Sequence, residues 1–373
     1  MKKLTRKDFL RKGASVAGAV GLGALAACSS PEARQEAPGI RTGKTYRWIM
    51  VTTWPPNFPV LGEACEVFAD WVREMSAGRL DIRVYGGGVL IPPLETFDAV
   101  SSGTAQIGNG ATYYWAGKVP AAQFFSSVPY GLNAQQMNAW LIAGGGQALW
   151  DEVYAPFGLL SWPAGNTGVQ MGGWFNKEIT SLADLRGLKM RIPGLGGKVL
   201  TRAGGTSVNV AGGEIYTNLE RGVIDATEWV GPYHDYLMGF HKIARYYYYP
   251  GWHEPGTTLE TLVNRAAYEA LPRDLQTILV AGIQRANTWV LSTFEAQNAI
   301  YLDKLLREEQ VRLRAFPPEV LQVLRQITAE VLAGIAAADP LSDKVYRAYL
   351  AFQQRASTWA AISEKVYFEQ LAS

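Results

Sequence analysis

The chain has 373 residues, 48% of them hydrophobic and 18% charged, which excludes a disordered or collagen-like polymer and suits a globular protein of about two domains. Its formal charge of +2 misleads, because Lys2, Lys3, Arg6, Lys7, Arg11 and Lys12 face Asp8 alone before residue 28, and the remainder carries 29 basic and 32 acidic residues. That body lacks the basic excess that nucleic-acid binding favours.

The charged start MKKLTRKDFLRK and the small apolar run GASVAGAVGLGALAAC predict an export signal over 1–27. The run is too short and too rich in Gly and Ala for a permanent membrane span, and no later stretch reaches ~18 consecutive apolar residues. TRKDFLRK resembles a twin-arginine signal with Lys7 at the second arginine, so twin-arginine and general secretory export both stay open. Leu25-Ala26-Ala27-Cys28 resembles a lipobox. It predicts a lipid on Cys28 and a polar tether over 28–44, against a plain signal cut near Ala27. The protein is then expected in the periplasm or on the outer face of the membrane, held by that lipid alone. Cys65 is left without a partner, so a disulfide and a cysteine metal site are both excluded and the core must hold the fold.

Strands and helices alternate through the body. Tyr46–Thr53 reads as a strand, Leu61–Met75 as a helix with apolar residues at helical spacing, and Leu80–Tyr85 as a strand. A helix over Leu94–Ser102 and a strand over Ala105–Gly108 follow. This rhythm predicts an α/β fold with helix-covered sheets. LETFDAVSSGTAQIGNG and EIYTNLERGVIDATEWVG echo one another, each with a glutamate eight residues before a glycine stop. Because ligands of α/β sheets lie beyond the carboxyl ends of strands, Gly110–Trp115 and Thr227–Gly231 become candidate cleft edges. Further strands are predicted over Leu188–Ile192, Val223–Ala226 and Tyr246–Tyr249. A long helix runs from Leu271-Pro272 towards Glu309, a second over Glu319–Ala337, and a last over Asp343–Leu371.

Nucleotide and hydrolase motifs are missing from the sequence: no complete G-x-G-x-x-G with its acidic partner, no P-loop, no G-x-S-x-G and no H-E-x-x-H. Arg191, set in a short apolar strand, is either an internal ion pair or a bidentate clamp for a carboxylate. Glu228, the Trp229 carbonyl, Glu254 and Gln170 are hard oxygen donors suited to Ca²⁺ or a smaller cation, although they come from three separate segments.

Taken in order, the segments WPPNFPVLGEACEVFADWV, YGGGVLIPPLETFDAVSSGTAQIGNGATYYW, SLADLRGLKMRIPG, GGEIYTNLERGVIDATEWVGPYHD, YYYYPGWHEPG and AYEALPRDLQ resemble the DctP family, the periplasmic substrate-binding proteins of TRAP transporters. The likeness covers about residues 45–330. Its WPxNFP, EWVGPYHD and PGWHEPG segments resemble the subgroup that binds 2-oxo or 2-hydroxy monocarboxylates, such as pyruvate or lactate, with a metal ion. The resemblance implies a two-lobed Venus-flytrap fold with a long inter-lobe helix and a helical C-terminus. Lobe I would take 45–165 plus about 255–290, lobe II 166–254 plus about 300–338, and 339–373 would form a C-terminal helix for a homodimer. It implies no enzymatic activity, and delivery of a small organic acid to sodium-coupled membrane permease subunits. The family arginine falls on Arg191, and the metal ligands fall on Gln170, Glu228, the Trp229 carbonyl and Glu254. Wall positions fall on Trp54, Asn57, Tyr113, Tyr114 and Trp174. Two glutamates, one arginine and a monocarboxylate leave two negative charges, which Ca²⁺ cancels and Na⁺ halves, so Ca²⁺ is preferred and Na⁺ second. The readings kept beside this one are an ABC-type sugar or amino-acid binding protein and an exported hydrolase.

Overall fold

The computed structural model describes residues 43–371, Gln310 excepted. The export signal over 1–27, Cys28 and most of the tether lie outside the described residues.

The described chain opens with strand β1 (Tyr46–Thr52), helix α1 (Leu61–Met75) and strand β2 (Leu80–Tyr85), as the periodicity predicts. Helix α2 (Thr96–Ser101), β3 (Ile107–Ala111), α3 (Ala134–Ile142), α4 (Gly146–Tyr154) and β4 (Leu159–Asn166) follow. Next come β5 (Gly173–Phe175), β6 (Lys189–Arg191), α5 (Gly194–Arg202), β7 (Thr206–Val208), α6 (Ile215–Glu220), β8 (Ala226–Thr227), α7 (Pro232–Leu237) and β9 (Tyr246–Tyr249). The chain continues through β10 (Thr258–Asn264), α8 (Arg265–Glu269), α9 (Arg273–Arg307), β11 (Arg312–Ala315), α10 (Pro318–Ala338), α11 (Pro340–Ala360) and α12 (Glu364–Gln370).

These strands form two sheets and therefore two lobes. The first has the order β2-β1-β3-β10-β4, the second β11-β9-β5-β8-β6-β7. In the first, β1 runs parallel to β2 and β3, while the returning β10 is antiparallel to β3 and β4. In the second, β6 runs parallel to β7 and β8, and β5 is antiparallel to β8 and β9. The strand expected over Val223–Ala226 starts three residues later: Gly222 turns at φ +69° and Val223 is exposed, so the ladder begins only at Ala226.

Helix α9 has 35 residues, about 52 Å at 1.5 Å per residue. It packs on β4 and α1 of the first lobe and on α7 of the second. Its buried stripe Leu275, Leu279, Ile283, Ala286, Val290 and Phe294 keeps the spacing of one helix face. Helix α10 has the length and apolarity to cross a membrane, yet its stripe Val320, Leu324, Thr328, Leu332 and Ala336 is buried against the protein. The single C-terminal helix expected over Asp343–Leu371 is two, broken between Ala360 and Glu364. Val345 and Tyr349 are buried in the first lobe, where the Leu132 amide donates to the Tyr349 hydroxyl at 2.7 Å and Tyr349 meets Trp140 edge-on. Beyond them Trp359, Ile362, Phe368 and Leu371 are exposed.

Glu260 lies fully buried in β10, accepting from the Trp115 indole, from the Tyr154 hydroxyl at 3.0 Å and from the Ser161 hydroxyl at 2.6 Å. Burial pushes its pKa up to about 7, and the three bonds counter this only in part. The folded state therefore holds this proton more tightly than the unfolded state, whose value is near 4.5. Its stabilising contribution is complete below that value and is lost as pH rises towards about 7. Glu260→Gln retains the acceptor and the shape without the buried charge. Calorimetry is expected to show a Tm a few degrees higher than wild type at about pH 8, and a flatter slope between about pH 5 and 7. A lower Tm at the alkaline end would contradict the assignment.

Candidate functional site

Arg191 ends β6 and pairs with Thr227 of the parallel β8, so Glu228 emerges beside it, and the Glu228 amide donates to the Arg191 carbonyl at 3.1 Å. Both side chains leave the carboxyl ends of parallel strands, where α/β sheets bind ligands. Arg191 Nη1 donates to Glu228 Oε1, and both side chains are 1% exposed. Nη2 donates to the Tyr114 hydroxyl at 3.3 Å, across from the other lobe. The guanidinium also stands over the Trp229 ring at 5.0 Å. Burial opposes its charge, and Glu228, Tyr114, Tyr113 and Glu254 together outweigh that, holding the pKa above the ordinary arginine value. Its Nε, buried, has no hydrogen-bond partner among the described residues.

Gln170 and Glu254 lie on two of the chain crossings between the lobes, 167–172 and 250–257. These crossings are bonded backbone to backbone: the Gln170 amide donates to the Glu254 carbonyl at 3.3 Å, and the Gly251 amide to the Gln170 carbonyl at 3.0 Å. A Cβ on Gly251 would stand 2.2 Å from that carbonyl, so only glycine permits the approach. Gln170 Nε2 donates to Glu254 Oε2 at 2.8 Å and reaches the Thr167 and Thr257 hydroxyls at 3.0 and 3.1 Å. The Thr257 hydroxyl donates to the same carboxylate oxygen. Burial, then the nearby Glu228 charge, raises the Glu254 pKa. Gln170 Oε1 is buried without a partner among the described residues.

The site thus holds an orphaned cationic donor, Arg191 Nε, and an orphaned neutral acceptor, Gln170 Oε1. The first suits an anion and the second a cation. No group of three His, Cys, Asp or Glu side chains suited to a metal occurs among the described residues. A cation here would need the amide oxygen and a backbone carbonyl beside the two glutamates.

Tyr113 and Tyr114 follow β3 in a short turn, edge to face at 4.9 Å. Trp54, after β1, meets Tyr114 at 6.3 Å and Trp229 at 6.5 Å, and its indole donates to Asn109 at 2.6 Å. Two expected wall residues are turned elsewhere. Asn57 is exposed at φ +56°, a conformation asparagine tolerates, and serves the turn over 55–60. Trp174 is fully buried, stacks on Tyr247 at 4.1 Å and donates to Asp235 at 3.0 Å. The sequence reading also passed over two histidines. His253 Nε2 lies 3.3 Å from Glu228 Oε2, so Arg191 and His253 bracket that carboxylate. His234 accepts from the Trp229 indole at 3.2 Å and lies 2.7 Å from the Pro59 carbonyl of the other lobe. Burial pushes its pKa down to about 3, which keeps the ring neutral. A histidine next to a motif glutamate was the available signal for His253; nothing in the spacing signals His234.

The model of bacterial extracellular solute-binding protein family 7, DctP, matches residues 50–339. The chain belongs to this family. It is 43% identical over 350 residues, 94% of either chain, to a monocarboxylate 2-oxoacid-binding periplasmic protein of Nostoc sp. PCC 7120. Two solved TRAP periplasmic solute-binding proteins share its fold with TM-scores of 0.86, covering 88% of this chain and 100% of theirs. That of Pseudoalteromonas atlantica, 45% identical, holds sodium and pyruvate, and that of Colwellia psychrerythraea, 44% identical, calcium and pyruvate. A dimeric TRAP solute-binding protein of Bordetella bronchiseptica, 35% identical with TM-score 0.86 over 88% of this chain and 97% of its own, holds calcium and picolinate. DctP membership makes the chain a TRAP solute-binding protein, as the resemblance implied, in place of the ABC-type and hydrolase readings. The two-lobed α/β architecture with its long helix and helical C-terminus is that of these relatives.

Proposed function

We propose that this DctP protein captures a small 2-oxo monocarboxylate, pyruvate or a near homologue, with 2-hydroxy acids such as lactate as the second class, and performs no catalysis. The observation that carries this is that Arg191 Nε and Gln170 Oε1 are both buried without a partner among the described residues, on side chains that both neighbour Glu254. Arg191 grips the carboxylate, Tyr113, Tyr114 and Trp54 exclude water, and Glu228, Glu254, Gln170 Oε1 and the Trp229 carbonyl would hold a cation. When bound, that cation supplies a positive centre for the ligand's oxygens. The charge count favours Ca²⁺ over Na⁺. Pyruvate is expected to raise Tm strongly, lactate less and propionate hardly at all, with the pyruvate shift largely lost in excess chelator. A propionate shift equal to that of pyruvate, or one indifferent to thorough chelation, would refute the reading.

Export, anchoring through Cys28 and delivery to membrane permease subunits complete the proposal. We further infer a homodimer. The exposed Trp359, Ile362, Phe368 and Leu371 offer an apolar face at the end of a helix pair whose start is fixed to the first lobe, and the Bordetella relative is a dimer. A twofold pairing of such faces is self-complementary. Light scattering is expected to give a dimer for the exported chain and a monomer after truncation at Asp339; a dimer that survives truncation would place the contact elsewhere.

A further inference from the structure

We propose that His234 is a latch across the cleft that sets how long the ligand stays bound, a positioning role that rests on the function just proposed. The Trp229 indole can only donate and the Pro59 carbonyl can only accept, so the imidazole must accept at Nδ1 and donate from Nε2. Trp229 Nε1 lies 3.2 Å from His234 Nδ1, and His234 Nε2 lies 2.7 Å from the Pro59 oxygen. The relay therefore runs from the ring over which Arg191 stands to the backbone of the first lobe. It is buried, with His234 1% exposed, and a chain of bonds in such surroundings strengthens each member.

The receiving loop is shaped for this contact. Phe58 meets Trp229 edge-on at 5.8 Å and His234 at 5.1 Å. Val60, β-branched and fully buried, sits at φ +55°. Such backbone persists only where neighbours over-determine it, and the neighbours here include Trp229 and His234 from the opposite lobe. On the far side His234 meets Phe294 of α9 edge-on at 4.8 Å. One ring thus joins the ligand site, the first lobe and the helix that spans both. Opening the cleft must break the His234–Pro59 bond, whereas the Trp229–His234 bond lies within one lobe.

The test compares wild type with His234→Phe and His234→Gln in the full chain. Pyruvate with calcium serves as the probe in stopped-flow displacement, and spin labels on exposed Glu95 and Glu220 report the distance between lobes. His234→Phe is expected to speed dissociation roughly tenfold to a hundredfold, with association and the ligand-free Tm little changed. His234→Gln, which can still donate to Pro59, is expected to recover much of the residence time. In ligand-free protein the Phe variant shifts the distances outward. Unchanged dissociation with unchanged distances overturns the latch. So does a fall in ligand-free Tm with distances unchanged, since that marks a purely structural ring. If wild type does not bind pyruvate, the functional reading fails on its own and the distance distributions alone decide the latch.

Discussion

Arg191→Lys is expected to weaken pyruvate binding by ~30-fold to a few thousandfold while the protein still folds. The range follows from the ~2–5 kcal/mol typical for truncating one member of a buried, hydrogen-bonded charge pair. Lysine can still neutralise Glu228, which Arg191 Nη1 contacts. It cannot at the same time reach Tyr114, stand as a plane over Trp229 and present a further N–H in place of the orphaned Nε. The alternative, that Arg191 is only the counter-ion of Glu228, predicts lower Tm with unchanged affinity. Calorimetric titration separates the two, and an unaltered Kd would end the clamp role.

Glu254→Gln is expected to move two quantities in opposite directions. The carboxylate is buried beside Glu228, and both burial and that charge disfavour its ionised form. Replacing it by an amide relieves the ligand-free protein, so its Tm is expected to rise. Cation affinity and pyruvate affinity are expected to fall together, by tenfold or more, because the anion then lacks its counter-charge. Wild type in excess chelator should resemble the variant, and chelation should barely affect the variant further. Pyruvate affinity that ignores both the substitution and the chelator would show that no shared cation joins Glu254 to the ligand.

Local periodicity carried much of the fold. Apolar residues at helical spacing marked α1, and alternation marked β2, because each buries one face against its own lobe. Arg191 and Glu228 were each read beside a predicted strand, but the sequence did not make them neighbours: the parallel pairing of β6 with β8, which does so across 37 residues, is set by the sheet. Long-range polar partners were not legible. Glu260 is held by Trp115, Tyr154 and Ser161, from three different elements, and nothing around it in sequence separates it from a solvated strand residue. The resemblance put Trp174 in the wall, but its direction is decided by Asp235 and Tyr247. The C-terminal helix was legible over Asp343–Leu371, yet the sequence did not say where it breaks or which half finds a partner within the chain.

The position of Gln170 and Glu254 on the crossings bears on the order in which a ternary complex assembles. Points near a pivot travel least, and these two segments are stitched by backbone hydrogen bonds of 3.3, 3.0 and 3.1 Å, the last donated by the Thr167 amide to the Thr257 carbonyl. Their oxygens therefore keep their mutual spacing whatever the angle between the lobes. The gap between Arg191 and Tyr114, reached from opposite lobes, widens with every degree of opening. If Gln170 and Glu254 hold the cation as proposed, an ion entering an open cleft would meet two of its four protein donors already in place, whereas the organic anion would meet Arg191 and Tyr114 together only on closure. On the proposed assignment, the ion is expected to load first and the acid to leave first.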